Sequence, residues 1–224
     1  MASLRAISPD VVEHPSAARH DDHARGGLAH QRLLSHVLPL GPGHAEQHRA
    51  VPREVVSIAC TDWRGRDRRA DTLDLLFVNA AIDRGDLPID EVPTDMFTEV
   101  MITNALSPLR TLETLRGLVA PGGTVAVMSS DQGSISRNIE PGYELYKASK
   151  AALNQLMRSY ATRHADDGQT KLLIDPGHNQ TRLGGPDAPL IPEESIPDVV
   201  DVLEAQAGAP GLQFLDRHGE NVPW

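Results

Sequence analysis

Apolar residues fall into two rhythms along this chain. Some runs are short and nearly unbroken. Leu73-Asp-Leu-Leu-Phe-Val-Asn79-Ala-Ala-Ile82 and Thr124-Val-Ala-Val-Met-Ser-Ser130 are of this kind, and they predict strands buried on both faces. Val55-Val-Ser-Ile-Ala-Cys60 is rich in β-branched residues and closes at Thr61-Asp62, which predicts another strand. Lys171-Leu-Leu-Ile-Asp175 runs into Pro176-Gly177, and Leu212-Gln-Phe-Leu-Asp216 is a last short strand. Other stretches repeat at helical spacing. Met96, Phe97, Val100, Met101, Leu106, Leu109, Leu112 and Leu115 predict one long helix over 93–118, with Thr94 as its N-cap and Asn104 interrupting its stripe. Pro121-Gly122-Gly123 follows as a stop. A second helix carries Tyr146 and Lys150 and ends near His164; a third covers 193–205.

Strand–helix alternation of this kind predicts an α/β domain, a Rossmann-type doubly wound parallel sheet with right-handed crossovers. Ligands of such sheets bind at the carboxyl ends of the strands, where Asn79-Ala80-Ala81 falls. The N-terminal strand–helix unit is degenerate or irregular. Leu33 to Leu40 leads into Gly41-Pro42-Gly43, in the position of a phosphate-cradling loop. Pro39 has no amide for a central strand, Pro42 removes a loop N–H, and Glu46 stands where a third glycine would close the motif. Residues 1–30 are polar and read as an irregular, mobile segment; 31–224 read as one Rossmann-like domain.

Charge and composition narrow the partners. The net charge of −10 argues against nucleic acid. It is unevenly spread: residues 1–70 carry ten Arg and eight Asp or Glu, a balance of +2, which leaves −12 for the rest. Seven of the ten histidines lie in the first 48 residues, and no lysine precedes Lys147. The cluster His20-Asp21-Asp22-His23 has metal-ligand chemistry but no predicted fold to hold its geometry, so no metal site is expected. The single cysteine, Cys60, forms no internal disulfide. No apolar run reaches membrane-span length, and the first residues lack a signal-peptide core. The expectation is a cytoplasmic protein without a membrane partner.

Tyr146 and Lys150 carry the candidate chemistry. Four residues apart on a helix, they share one face. A phenol with a pKa near 10 is idle as an acid or base at neutral pH, and moving it by about 3 units takes about 4 kcal/mol. One ammonium about 4 Å away supplies that at an effective dielectric of about 20, but only about 1 kcal/mol in bulk water. The pair therefore works only in a sheltered site. Tyr143 and Lys147 form a second pair at the same spacing. Tyr146/Lys150 is preferred because Ala148 and Ser149 between them are small, whereas Tyr143 follows Pro141-Gly142 at the helix start.

From Asp74 onward the chain resembles the short-chain dehydrogenase/reductase family, on five landmarks in order: Val78-Asn79-Ala80-Ala81, Asn104, Ser129-Ser130, Tyr146-Lys-Ala-Ser-Lys150, and Pro176-Gly177 with Thr181. Gly133-Ser134-Ile135, Gly184 to Leu190 and the ending Val222-Pro-Trp224 are similar to its small carbonyl-reductase and C-factor branch. The resemblance implies interconversion of a carbonyl and an alcohol with NADP or NAD, NADP being preferred by that branch. It implies that Tyr146 passes the proton, that Lys150 lowers the phenol's pKa and holds the nicotinamide ribose, and that Ser130, or its neighbour Ser129, orients the carbonyl. Asn104 would hold a relay water; Asn79, Ala80 and Ala81 would line the cofactor cleft; Pro176, Gly177, Asn179 and Thr181 would bind the nicotinamide end. The substrate would be a small carbonyl or alcohol compound. A homo-oligomer would form through the helices of Asn104 and Tyr146. Two departures stand out. Ala59 replaces an acidic residue expected near adenine, and the glycine loop is poor. The first sixty residues have diverged or are misread from the gene, or else the protein is a catalytically silent relative that keeps the fold for binding or regulation.

Overall fold

The unbroken apolar runs become adjacent strands. The computed structural model describes residues 73–224 throughout, together with the strand backbones of Leu34–Ser35 and Ile58–Thr61. The expectations placed on Met1 to His30, on His20-Asp21-Asp22-His23, on Gly41-Pro42-Gly43 and on the side chains of Ala59 and Cys60 lie outside these residues. In chain order the elements are β1 (Leu34–Ser35), β2 (Ile58–Thr61), β3 (Leu73–Val78), α1 (Thr94–Met101), a π-helical segment (Ile102–Leu106), α2 (Ser107–Leu115), β4 (Val119–Met128), α3 (Glu144–Arg163), β5 (Thr170–Asp175), α4 (Pro192–Ala205) and β6 (Leu212–Asp216).

The six strands lie side by side in sequence order. From β3 to β6 they are parallel, with a helical crossover between each pair, as expected of a Rossmann-type sheet. At β1 and β2 the expectation of a parallel sheet fails: β2 pairs antiparallel with β3, and β1 antiparallel with β2. Connection length gives the reason for the β2–β3 pair. Eleven residues separate Thr61 from Leu73, and a parallel crossover takes about a dozen or more.

Side chains alternate between the two faces of the sheet. Leu76, Val78, Val125, Val127 and Leu173 pack under α2 and α3, against Leu109, Leu112, Leu153, Met157 and Tyr160. Leu75, Ala126, Leu172, Ile174 and Leu215 face α4, against Val199, Val202 and Leu203. Each fully buried aliphatic side chain contributes about 1.5–3 kcal/mol, so the sandwich fixes both the strand register and the helix that carries Tyr146.

Three local expectations are corrected. Pro93, not Thr94, occupies the N-cap position of α1. The long helix is not uniformly α: Ile102–Leu106 is a π turn, closed by the Ser107 N–H on the Ile102 carbonyl. Pro121-Gly122-Gly123 does not precede the strand but lies inside β4, where the register with β3 shifts. Glycine is needed at 123 because a Cβ would meet Val119 Cγ1 at 2.8 Å and the carbonyl of Ala120 at 2.9 Å. Among the described residues no helix is long and apolar enough to cross a membrane.

Candidate active site

The site forms where β3, β4 and β5 end and α3 begins. α3 starts abruptly. Gly142 (φ 93°) and Tyr143 (φ 52°) are both left-handed, and Tyr143 N–H donates to Asp86 Oδ1 at 2.6 Å. Glu144 Oε2 accepts from Ile89 N–H at 3.0 Å, which anchors the same end to the loop after β3. Tyr143 therefore stands outside the helix and is exposed. Its would-be partner Lys147 donates to Asn138 Oδ1 at 3.0 Å and to the Glu140 carbonyl at 2.7 Å. That pair is not brought together.

Tyr146 and Lys150 are. The Lys150 ammonium lies 5.8 Å from the Tyr146 ring centroid. Lys150 is 1% exposed, and its Nζ donates to the Met128 carbonyl at the end of β4, at 3.0 Å. The Ser130 hydroxyl, which donates to Asp131 Oδ1 at 3.4 Å, lies close enough to the Tyr146 phenol to pull its pKa down. Ser130 also caps the short turn Asp131–Gly133, accepting from Gln132 N–H at 3.2 Å. Ser129 points elsewhere: it is buried and donates to Asn154 Oδ1 at 2.6 Å. Of the two serines, it is Ser130 that meets the phenol.

Electrostatics depart from the expectation that Lys150 lowers the phenol's pKa. Burial pushes the Tyr146 phenol up, the neighbouring Ser130 hydroxyl opposes it, and the negative charges of Asp83, Asp175 and Asp131 push up again. Lys150 is itself pushed down to about 8 by burial, against the pull of Asp175. An ammonium with its Nζ turned to a main-chain carbonyl does not outweigh the loss of water around the phenol.

Asn104 is fully buried in the π segment. Its Nδ2 donates to the Ile82 carbonyl at 2.7 Å and to Ser149 Oγ at 3.0 Å, while its Oδ1 accepts from Ile82 N–H at 2.8 Å. It thus pins the chain just beyond Asn79-Ala80-Ala81 to the residue before Lys150. Asn79 itself is exposed, with Ala80 and Ala81 half-buried. Pro176 and Gly177 follow β5 directly; Gly177 has φ 73°, and a Cβ there would meet Leu190 Cδ1 at 2.8 Å. Asn179 is buried, and its amide is consumed internally, donating to the carbonyls of Pro176 and Gly177 at 3.0 Å and accepting from Ser195 Oγ. Thr181 is exposed and closes its own turn, its Oγ1 accepting from Gly184 N–H at 3.0 Å.

Sequence reasoning passed over Asn154 and Asp175, and took Gly133 only as part of a branch motif. Asn154 continues the Tyr146–Lys150 stripe by four residues and donates to the Gly133 carbonyl at 3.2 Å; a third polar residue at that spacing was a usable signal. A cavity of about 340 Å³ lies on another face of α3, lined by Ile135, Asn138, Glu140, Lys147, Ala148 and Ala151 among others. Neither Tyr146 nor Ser130 lines it; it meets the site only through the turn of Gln132 and Gly133.

The residues at the nicotinamide end fit such a group. Lys150 has one described acceptor for its three donors, beside the Tyr146 phenol and the turn after β5. The diphosphate half would fall on residues outside those described.

Known proteins resemble this chain over the same region. A family model described as enoyl-(acyl carrier protein) reductase matches residues 65–189. C-signal of Myxococcus xanthus is 32% identical over 68% of this chain and 93% of its own length. A 1-hydroxy-2-glutathionyl-2-methyl-3-butene dehydrogenase of Rhodococcus sp. (strain AD45) is 28% identical over 61% of this chain and 63% of that protein. Among solved structures, a short-chain dehydrogenase/reductase from Burkholderia multivorans with bound NADP is 52% identical, with TM-score 0.68, over 69% of this chain and 68% of that one. A carbonyl reductase from Pseudomonas aeruginosa PAO1 in complex with NADP is 37% identical, with TM-score 0.63, over 69% and 67%.

Proposed function

The chain belongs to the short-chain dehydrogenase/reductase family and is an enzyme of that type; from that premise we propose that it is an NAD(P)-dependent oxidoreductase that interconverts a small carbonyl compound and its alcohol, with Tyr146 as the proton donor. The observation that carries this reading is the meeting of three groups at the strand ends: the Tyr146 phenol, the Ser130 hydroxyl and the Lys150 ammonium. NADP, named with the Burkholderia and Pseudomonas structures, is the preferred cofactor and supplies or removes the hydride. Lys150 and Tyr146 would hold its nicotinamide ribose, with Pro176, Gly177, Asn179 and Thr181 on one side and Asn79, Ala80 and Ala81 on the other.

The chain's own residues then divide the work. A phenol pushed above its ordinary value stays protonated at neutral pH, so it is ready to donate to a carbonyl oxygen as negative charge develops there. Ser130 donates to the same oxygen and keeps it in line with the phenol. Once the proton has left, Ser130 and the Lys150 ammonium stabilise the phenolate. Asn104 fixes the distance between the β3 end and α3 across which the ligand lies. Phe97, Leu106 and Leu156 are exposed on the helices bearing Asn104 and Tyr146, which supports a homo-oligomer through these helices. Nothing in the comparisons favours a catalytically silent role.

Two measurements test the reading. Tyr146→Phe abolishes NADPH-dependent carbonyl reduction, while Tyr143→Phe leaves it within about threefold; the reverse result assigns the wrong tyrosine. NADPH at about 100 times its dissociation constant adds about 2.7 kcal/mol of stability, read as a rise in melting temperature. No rise with NADPH or NADH would mean that the chain does not hold the cofactor.

A further inference from the structure

Asp175, the last residue of β5, is 7% exposed. A carboxylate so buried is costly unless hydrogen-bonded, and this one is: Gly177 N–H donates to its Oδ1 at 3.2 Å. The Asp175 side chain therefore braces the Pro176-Gly177 turn. Strand register brings Lys150 to the same place. Met128, whose carbonyl accepts from the ammonium, pairs with Ile174, so the charge lies one residue short of Asp175 on the neighbouring strand.

The charged and titratable groups facing Asp175 come from three further elements. α3 supplies Lys150 and Tyr146, the turn after β4 supplies Asp131, and β6 supplies Asp216. Asp216 is engaged in its own turn, its Oδ1 accepting from the N–H groups of His218 and Glu220. Arg217, which flanks Gly177, is paired with Asp198. That leaves Asp175 as the carboxylate whose charge acts on Lys150.

We propose that Asp175 is a positioning residue of the site: the through-space counter-ion of Lys150, and the brace of the Pro176-Gly177 turn beside it. The proposal rests on the functional reading above, but its physical content does not require turnover. Negative charge at Asp175 keeps the proton on Lys150 and on the Tyr146 phenol to higher pH, so the two effects have one sign. Removing that charge makes both groups ionise or discharge at lower pH.

The composition makes a direct test practical, because the full chain has three lysines, Lys147, Lys150 and Lys171. Lysine labelled with carbon-13 at Cε gives three resonances to titrate by NMR, assigned by single Lys→Arg variants. In the parent protein the Lys150 midpoint should lie near 8, where burial places it. Asp175→Asn keeps an oxygen to accept the Gly177 N–H but removes the charge; the Lys150 midpoint should fall by about 1 pH unit, the size expected of one charge several ångströms away at an intermediate dielectric. Asp175→Glu should leave it near the parent value. If the Asn variant does not fold, Asp175→Ser is read in the same way. An unmoved midpoint in the neutral variant, or an equal fall in the Glu variant, overturns the proposal. The titration needs neither cofactor nor substrate, so failure here is distinct from failure of the Tyr146 reading, which the Phe substitutions report.

Discussion

Ser129 and Ser130 are chemical twins with different neighbours, and alanine at each should have opposite consequences. Ser129 is 3% exposed and gives its hydroxyl hydrogen to Asn154 Oδ1 at 2.6 Å. Ser129→Ala leaves that amide oxygen buried without its donor, a cost of about 1–3 kcal/mol. For a chain of this size each kcal/mol moves the melting temperature by about 2–4 °C, so a fall of about 2–12 °C is expected. The Asn154 Nδ2 bond to the Gly133 carbonyl remains, so the turn holds and kcat changes little. Ser130 is half-buried, accepts from Gln132 N–H, donates to Asp131 Oδ1 and stands beside the phenol. Ser130→Ala exposes little that water cannot satisfy, so the melting temperature should move by less than about 2 °C, since changes of this kind lie within about 0.5 kcal/mol. On the proposed mechanism it removes a donor to the developing oxyanion, which is worth about 100- to 1,000-fold in kcat. The assays are a thermal melt and steady-state reduction at saturating NADPH, run on both variants. If Ser129→Ala lost the activity and kept the stability, the assignment of the two hydroxyls would be wrong.

Lys150→Met should be inactive yet more stable than the parent at neutral pH. Lys150 is pushed from 10.5 down to about 8, so between those values the unfolded chain holds the extra proton and stability rises with pH; below about 8 the full burial cost is present. That cost is about 3 kcal/mol, from which about 1 is subtracted for the orphaned Met128 carbonyl, leaving a gain at pH 7 that vanishes by pH 10.5. Melts at pH 7 and pH 10 check it, and a less stable variant at pH 7 contradicts the burial argument. Gly133→Ala puts a Cβ 2.8 Å from Asn154 Nδ2 and 2.9 Å from Lys150 C and Cβ. Because helix main chain yields poorly, the turn must lift, costing about 1–3 kcal/mol and moving Ser130 off the phenol. Calorimetry and kcat should both report the change, and a silent substitution would mean that the turn is not held against α3.

The parallel half of the fold was legible because each element carries its own pattern. Leu73–Val78 and Thr170–Asp175 are apolar runs that only a sheet covered on both faces can bury, and Tyr146 and Lys150 share a stripe by spacing alone. Features decided between elements were not legible. Pro121-Gly122-Gly123 reads locally as a stop, but its neighbour β3 draws the chain into β4 through an irregular register. A phenol beside a lysine looks activated on paper, whereas burial among Asp83, Asp131 and Asp175 raises it, and none of those carboxylates is near Tyr146 in sequence. The choice between Ser129 and Ser130 depended on which way each hydroxyl points at the end of β4. The direction of β2 depended on the length of a connection, not on the residues of the strand.

The π turn at Ile102–Leu106 carries a consequence for how this helix can change. A π turn is how a helix absorbs one surplus residue. Deleting one residue there would restore an unbroken ladder of ordinary helical bonds, and by local measures the helix would improve. The same deletion would swing Asn104 about 100° around the axis, away from Ile82 and Ser149. An insertion that looks like a flaw is then what aims the side chain, and the smoother helix would be the defective one.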